Sequence, residues 1–481
     1  MVDLLACQRA VLSRLPYNLL RIATTILLTL SLYLACLATT QSLSLPTGPL
    51  FSIFLLVVLA LAAGELMQLA RIPPMLGMLL VGIALSNVPT VKEMTVLEPQ
   101  ISSDLKTVAL LVILMKGGLS LDIMDIKRVG FAVIRLAFLP CLVEASVFAV
   151  LSVFLLNLPW VWAFLLGFVI AAVTPAIIVP CLMELKRRKF RLDENNITTM
   201  LISASSFDDV VAISAFMVCL SSAFTSDKPL YLQIIQGPLE IVLGILIGVV
   251  FGMLLWVIPP TAKDGTVSSK SRAMLILFLS MFSVFGMNYL QFSGSGPLSV
   301  IVMSLTAVKG WGGDEYVTKV VDLLWYFGEP LLFGLVGRDI QLELITLDLL
   351  WRTLIVIFVA LVFRLLAAFL SVSGTSLNFR EKIFVCFSWI PKATVQAAIG
   401  SYALAVAVEK GAEEEVLGYC RTIVTVAVLV ILVSAPLGAM LMYFTAPLLL
   451  EKVQSPSSST VDQVRLVEEK EDTHCQTISP V

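Results

Sequence analysis

Apolar residues in this chain run in blocks longer than a soluble helix or strand requires. Reading apolar runs of about 17–25 residues as membrane-spanning helices gives fourteen candidates. They are 19–40, 49–70, 73–88, 101–121, 126–157, 159–185, 195–224, 231–257, 273–290, 295–309, 315–337, 347–372, 382–408 and 420–447. The third and tenth are short. Residues 454–481 are rich in Ser, Glu, Asp and Lys with few large apolar side chains, a composition that cannot bury enough surface to order itself. The pattern predicts an all-α polytopic membrane protein. Residues 1–48 hold the first helix, 49–447 form a transmembrane domain, and 448–481 form a disordered cytoplasmic tail.

Treating 231–257 as a linker helix leaves six spans before it (repeat one, 49–224) and six after it (repeat two, 273–447). The two sets enter the bilayer from opposite sides, so they are related by inversion. Both fifth helices are interrupted, the first by Thr174-Pro175 and Pro180, the second by Pro391-Lys392. Both fourth helices carry a deep charge, Glu144 in one and Arg364 in the other. Discontinuous helices at matched positions of inverted halves mark the ion sites of secondary transporters.

Lys and Arg reinforce this topology. They gather on alternate loops, as in Arg9–Arg21, Lys127-Arg128, Lys186–Arg191, Lys263–Arg272 and Arg380–Lys382. The opposite loops hold only isolated cations such as Lys92, Lys228, Arg338 and Lys410. Positive charge collects on the cytoplasmic side, so both termini are expected there. The plasma membrane is the favoured location, with mitochondrial and endosomal membranes as alternatives. The first run also fits a secretory signal, with basic residues, an apolar core and the small-residue ending Cys36-Leu37-Ala38. A retained helix is the preferred reading.

Composition narrows the function classes. Hydrophobic residues make up 58% and charged residues 14%, against about 25% charged in soluble chains. A net charge of −2 argues against a nucleic-acid partner. The eight cysteines form no CxxC, and the one histidine, His474, lies in the tail. Neither a zinc centre nor a disulfide framework is expected. The chain has no Gly-rich GK[ST] loop for a nucleotide-driven pump, and its adjacent aspartates lack the GxGD string of an intramembrane protease. Neither catalysis nor a cofactor is expected.

Two residues carry the chemistry. Asp208 and Asp209 lie halfway along the span 195–224, where each carboxylate costs about 2.5–3.5 kcal/mol to insert. On a helix they point about 100° apart, so one can face the interrupted helices while the other faces a neighbour. Burial and mutual repulsion favour the protonated pair, and bound Na⁺ or Li⁺ favours the charged one. Competition between proton and cation for the same oxygens couples their movements. The prolines free backbone groups at membrane depth, which is tolerable only beside protein or a water-filled cavity. Thr174 can add a hydroxyl there, and Lys392 can neutralise carbonyl ends of the second break. Glu144 and Arg364 are expected to pair across the repeat axis, for structure or gating. Arg135, Lys116 and Glu329 are further intramembrane charges.

The strings Val173-Thr174-Pro175-Ala176-Ile177-Ile178-Val179-Pro180, Phe207-Asp208-Asp209 and Pro391-Lys392-Ala393-Thr394-Val395-Gln396-Ala397-Ala398 resemble the cation/proton antiporters, in particular their animal sodium/hydrogen antiporter branch (mitochondrial-like). The likeness runs from about Phe51 to Met442. It implies the sodium/proton antiporter fold, with a core domain holding two crossed broken helices and a separate dimerisation domain. It also implies a homodimer working by elevator-like alternating access, with the first helix at the dimer interface. Asp209 would be the principal cation and proton carrier, Asp208 its companion and Thr174 a nearby ligand. Electrogenic bacterial members resemble this chain but carry a lysine where Arg364 stands, and that departure implies electroneutral one-for-one exchange. Electrogenic exchange, sodium-coupled symport and a channel are the alternatives.

Overall fold

A bilayer offers no water to backbone amides, so a spanning chain must satisfy them internally, and helices do so. The computed structural model describes residues 17–70, 72–120, 130–192, 196–224, 230–258, 265–290, 292, 295–311, 314–340, 342–344 and 346–451. The helices are α1 (Tyr17–Thr40), α2 (Pro49–Leu69), α3 (Pro74–Asn87), the short α4 (Pro89–Met94), α5 (Pro99–Ser120), α6 (Phe131–Leu156), α7 (Trp160–Ala171), α8 (Pro175–Arg187), α9 (Ile197–Ala223) and α10 (Leu230–Val257). They continue with α11 (Gly265–Tyr289), α12 (Ser295–Trp311), α13 (Glu315–Arg338), α14 (Leu347–Ser371), α15 (Phe379–Ser388), α16 (Thr394–Glu409) and α17 (Glu414–Leu449).

Within the described residues, each predicted run overlaps one helix or a helix broken once. Among the described residues, nine segments are long and apolar enough to cross a membrane, α7 and α8 counting together, and α3 and α16 are shorter apolar helices. The expected tail lies, from residue 452 onward, outside the described residues, as do the basic positions Arg9, Arg14, Arg71, Lys127, Arg128 and Lys263.

The helices pack as two bundles. One, the core bundle, contains α6, α7, α8, α9, α14, α15, α16 and α17; the other, the flanking bundle, contains α2, α3, α5 and α10 to α13. Each therefore draws equally on the two halves expected as repeats: the last three spans of each half build the core, and the first three build the flank. The linker helix α10 joins the flank. Fully buried side chains such as Phe148, Leu166, Phe216, Phe384 and Trp389 fill the core bundle. Outward faces carry Phe154, Phe358, Phe363 and Phe444, as a lipid-facing surface requires.

With no hydrophobic drive between helices in lipid, association rests on close packing at small residues. A methyl group at Gly82 on α3 would collide with the Gly334 carbonyl oxygen on α13. On α10, Gly244, Gly248 and Gly252 follow one stripe, meeting Ser295 O, the Val302 side chain and the Thr306 side chain of α12. In the core, Gly167 presses on the Ala145 carbonyl and Gly438 on the Pro391 ring. Among the described glycines, none has its nearest neighbour across the boundary between the bundles. Each bundle is locked backbone to backbone within itself.

Candidate functional site

The site begins with two interruptions. Pro175 occupies the first position of α8, where no N–H is needed, and it drives the preceding Thr174 into extended backbone (φ −98°, ψ 106°). The chain between Ala171 and Pro175 therefore leaves the helix. Pro180 was expected to add to this break but lies inside α8; it costs one intrahelical bond there, which membrane helices tolerate. The second interruption runs between Ser388, the end of α15, and Thr394, the start of α16, around Pro391.

The groups freed by each break are satisfied largely by the other half of the chain. At the end of α7, Ile170 O accepts from Lys392 Nζ at 2.6 Å and Gln396 Nε2 at 3.3 Å. Ala171 O accepts from Arg364 Nη1, and Ala172 O from Gln396 Nε2 at 2.6 Å. Thr174 N–H donates to Pro391 O at 3.1 Å, while Thr174 Oγ1 accepts the Ala393 N–H at 2.6 Å. Arg364 Nε donates to Trp389 O at 2.7 Å. Thr174 thus pins one break to the other. Replacing it with Val leaves the buried Ala393 N–H without its acceptor, at a cost of about 1–3 kcal/mol. Thr174→Val should therefore lower the melting temperature in detergent, and Thr174→Ser should retain it.

Four charges sit at the crossing. Glu144 on α6 accepts from Arg364 Nη1 of α14 and, at 2.7 Å, from Lys392 Nζ. The expected Glu144–Arg364 pair is therefore present, with Lys392 as a third member. Lys392 departs from expectation: it caps the first break rather than the second, drawn by Glu144 and by the negative end of α7. Asp208 Oδ2 on α9 accepts the Val173 N–H at 2.6 Å and lies 3.6 Å from Arg364 Nη2. Arg364 and Asp208 are fully buried, and Glu144 and Lys392 nearly so.

Asp209 points elsewhere. It lines a small pocket on the boundary between the bundles, with Leu114 and Gly117 of α5, Ser206 of α9, Ile301 of α12 and Ala398 of α16. Its Oδ1 is buried without a hydrogen-bond partner, as are Asp208 Oδ1 and Gln396 Oε1. Unpartnered buried oxygens are costly, and hard monovalent cations bind through oxygen, so Asp209 Oδ1, on a residue that lines the pocket, can take Na⁺ or H⁺. Sequence reasoning quoted Gln396 only within a motif and gave it no role; a lone amide in an apolar run carries no partner signal. Lys116, one of the further charges, pairs with Asp322 of α13 at 2.8 Å, away from the crossing.

A family model described as "Sodium/hydrogen exchanger, transmembrane" matches residues 53–443. The chain is 37% identical over 454 residues to sodium/hydrogen exchanger 9B2 of Homo sapiens, covering 93% of this chain and 84% of that one. It is 40% identical over 420 residues to 9B2 of Xenopus tropicalis (85% and 77%), and 37% over 421 residues to 9B1 of Homo sapiens (86% and 81%). Among solved structures, the sodium proton antiporter MjNhaP1 of Methanocaldococcus jannaschii at pH 8 aligns with a TM-score of 0.66 at 20% identity, covering 83% of this chain and 98% of that one. At that identity the likeness establishes the fold.

Proposed function

Because this chain belongs to the sodium/hydrogen exchanger family, in its animal branch, we propose that Asp209 carries either one cation or one proton at a time across the membrane. The chain is an integral multi-pass antiporter of Na⁺ and H⁺. The finer reading rests on one observation: Asp209 alone of the site's charges is unpaired and faces the pocket. Glu144 and Asp208 contribute two negative charges and Arg364 and Lys392 two positive ones, so the buried quartet sums to zero. One Na⁺, or one Li⁺, neutralises the remaining carboxylate, and so does one H⁺. Exchange at such a site is electroneutral.

Asp208 is the companion that holds the break in place through Val173, and Thr174 fixes the crossing rather than binding the cation. The core bundle carries the site past the flanking bundle, and the flank supplies the surface for a second copy. The first helix, whose Tyr33 ring packs against Phe54 at 5.1 Å, extends that surface. Both termini are assigned to the cytoplasm from the Lys and Arg distribution.

Proteoliposomes test this directly. An imposed Na⁺ gradient should drive protons the opposite way. Lowering the pH on the cation side should raise the half-saturating Na⁺ concentration and leave the maximal rate unchanged, as competition for one carboxylate requires. With the potential clamped at zero and then imposed, the rate should stay the same. A potential that drives exchange favours the second reading, in which Lys392, unlike Arg364, releases a proton as the cation enters.

A further inference from the structure

Among the described residues, side-chain hydrogen bonds from Ser221 and from Asn288 cross the boundary between the bundles far from the ion site. Ser221 Oγ of α9 donates to Glu240 Oε2 of α10 at 2.6 Å. Asn288 Nδ2 of α11 donates to Glu409 Oε2 of α16 at 2.8 Å. Both lie at the end of the molecule where α9, α11 and α16 finish and α10 and α12 are joined. Along α9, Ser221 stands about 18 Å beyond Asp209 at the helical rise of 1.5 Å per residue. The Asp209 pocket is lined by Ser206 and by Gly117 near the end of α5, on the side of Asp209 away from Ser221, and by Ile213, one turn toward Ser221.

What these bonds join is stiff on both sides. The core side of this end is braced by Trp162, whose ring meets Phe224 at 5.6 Å and Tyr419 at 5.8 Å, and by Lys410 Nζ, 5.2 Å from the Phe224 ring centre. On the flank side, α10 is held to α12 along its glycine stripe. With α10 held to α12 and the core side braced, sliding of core against flank at this end must break the bond between Ser221 and Glu240, and it separates Asn288 from the exposed Glu409. Glu240 is only 3% exposed, and a carboxylate so placed needs its donor.

We propose that Glu240 and Glu409 close this end of the exchanger. They are bonded to Ser221 and Asn288 while Asp209 is reached from the opposite end, and separated from them when Asp209 is reached from this one. The inference rests on the antiporter reading above.

The test uses Asn288→Cys with Glu409→Cys in the full chain, reconstituted in vesicles and bridged with a short bifunctional methanethiosulfonate. Bridging should cut Na⁺/H⁺ exchange at least about tenfold, and a reducing thiol should restore it. The parent chain under the same reagent controls for the eight native cysteines. Exchange by the bridged protein at the rate of the reduced protein overturns the closing role, while absence of exchange in the parent overturns the antiporter reading beneath it. A second variant needs no reagent. Ser221→Ala should shift the ratio of half-saturating Na⁺ concentrations measured from the two faces by about tenfold, the worth of one hydrogen bond to a charged group. A ratio equal to that of the parent assigns Ser221 and Glu240 to packing alone and counts against the proposal.

Discussion

Asp209→Asn should leave the vesicle interior at its starting pH when a Na⁺ gradient is imposed, and the variant should keep the parent's melting temperature and elution volume. The substitution removes a charge that no side chain neutralises, so the fold loses little. It also removes the group proposed to hold proton and cation in turn, so exchange should stop. Asp208→Asn should behave differently. Asp208 holds the Val173 N–H and lies beside Arg364, so its neutral replacement should lower thermal stability as well as transport. The contrast between these neighbours is measurable in one series of melts and flux assays. Normal exchange by Asp209→Asn would move the carrier to another residue.

Glu144→Gln should produce the largest loss of stability in the transmembrane domain. It withdraws the carboxylate shared by Arg364 and Lys392 and leaves two buried cations facing Asp208 alone. Breaking a buried pair from one side costs about 3–5 kcal/mol. Lys392→Met removes one of those cations, so adding it to Glu144→Gln should recover part of the loss, a coupling that a double-mutant cycle reads from detergent melts. Glu144→Gln with an unchanged melt would mean that the quartet does not hold the crossing together.

The spans and the first break were legible because their causes are local. Run length reports the bilayer, and Pro175 dictates the backbone of Thr174 wherever that segment lies. The Glu144–Arg364 pair was legible because two deep charges at matched positions of inverted repeats have few other partners. Pro180 misled because proline weakens a helix without always ending it, and Pro175 already placed the interruption five residues earlier. Lys392 and Gln396 were opaque for another reason. Their partners, Ile170 O and Ala172 O, are backbone atoms at and just past the end of α7, more than two hundred residues away, and carbonyls leave no trace in the order of side chains. The division into bundles came only through the family resemblance, since in the chain itself it follows glycine contacts such as Gly82 with Gly334.

The reciprocal satisfaction of the two breaks bears on how the chain is made. A ribosome delivers the amino-terminal half first, and at that moment Ile170, Ala171 and Ala172 present bare carbonyls within the bilayer. The guanidinium, ammonium and amide that relieve them reside at positions 364, 392 and 396. A nascent protein halted before those positions emerge cannot finish its own first half, and its unrelieved polar backbone becomes a mark by which membrane proteases can recognise an incomplete product.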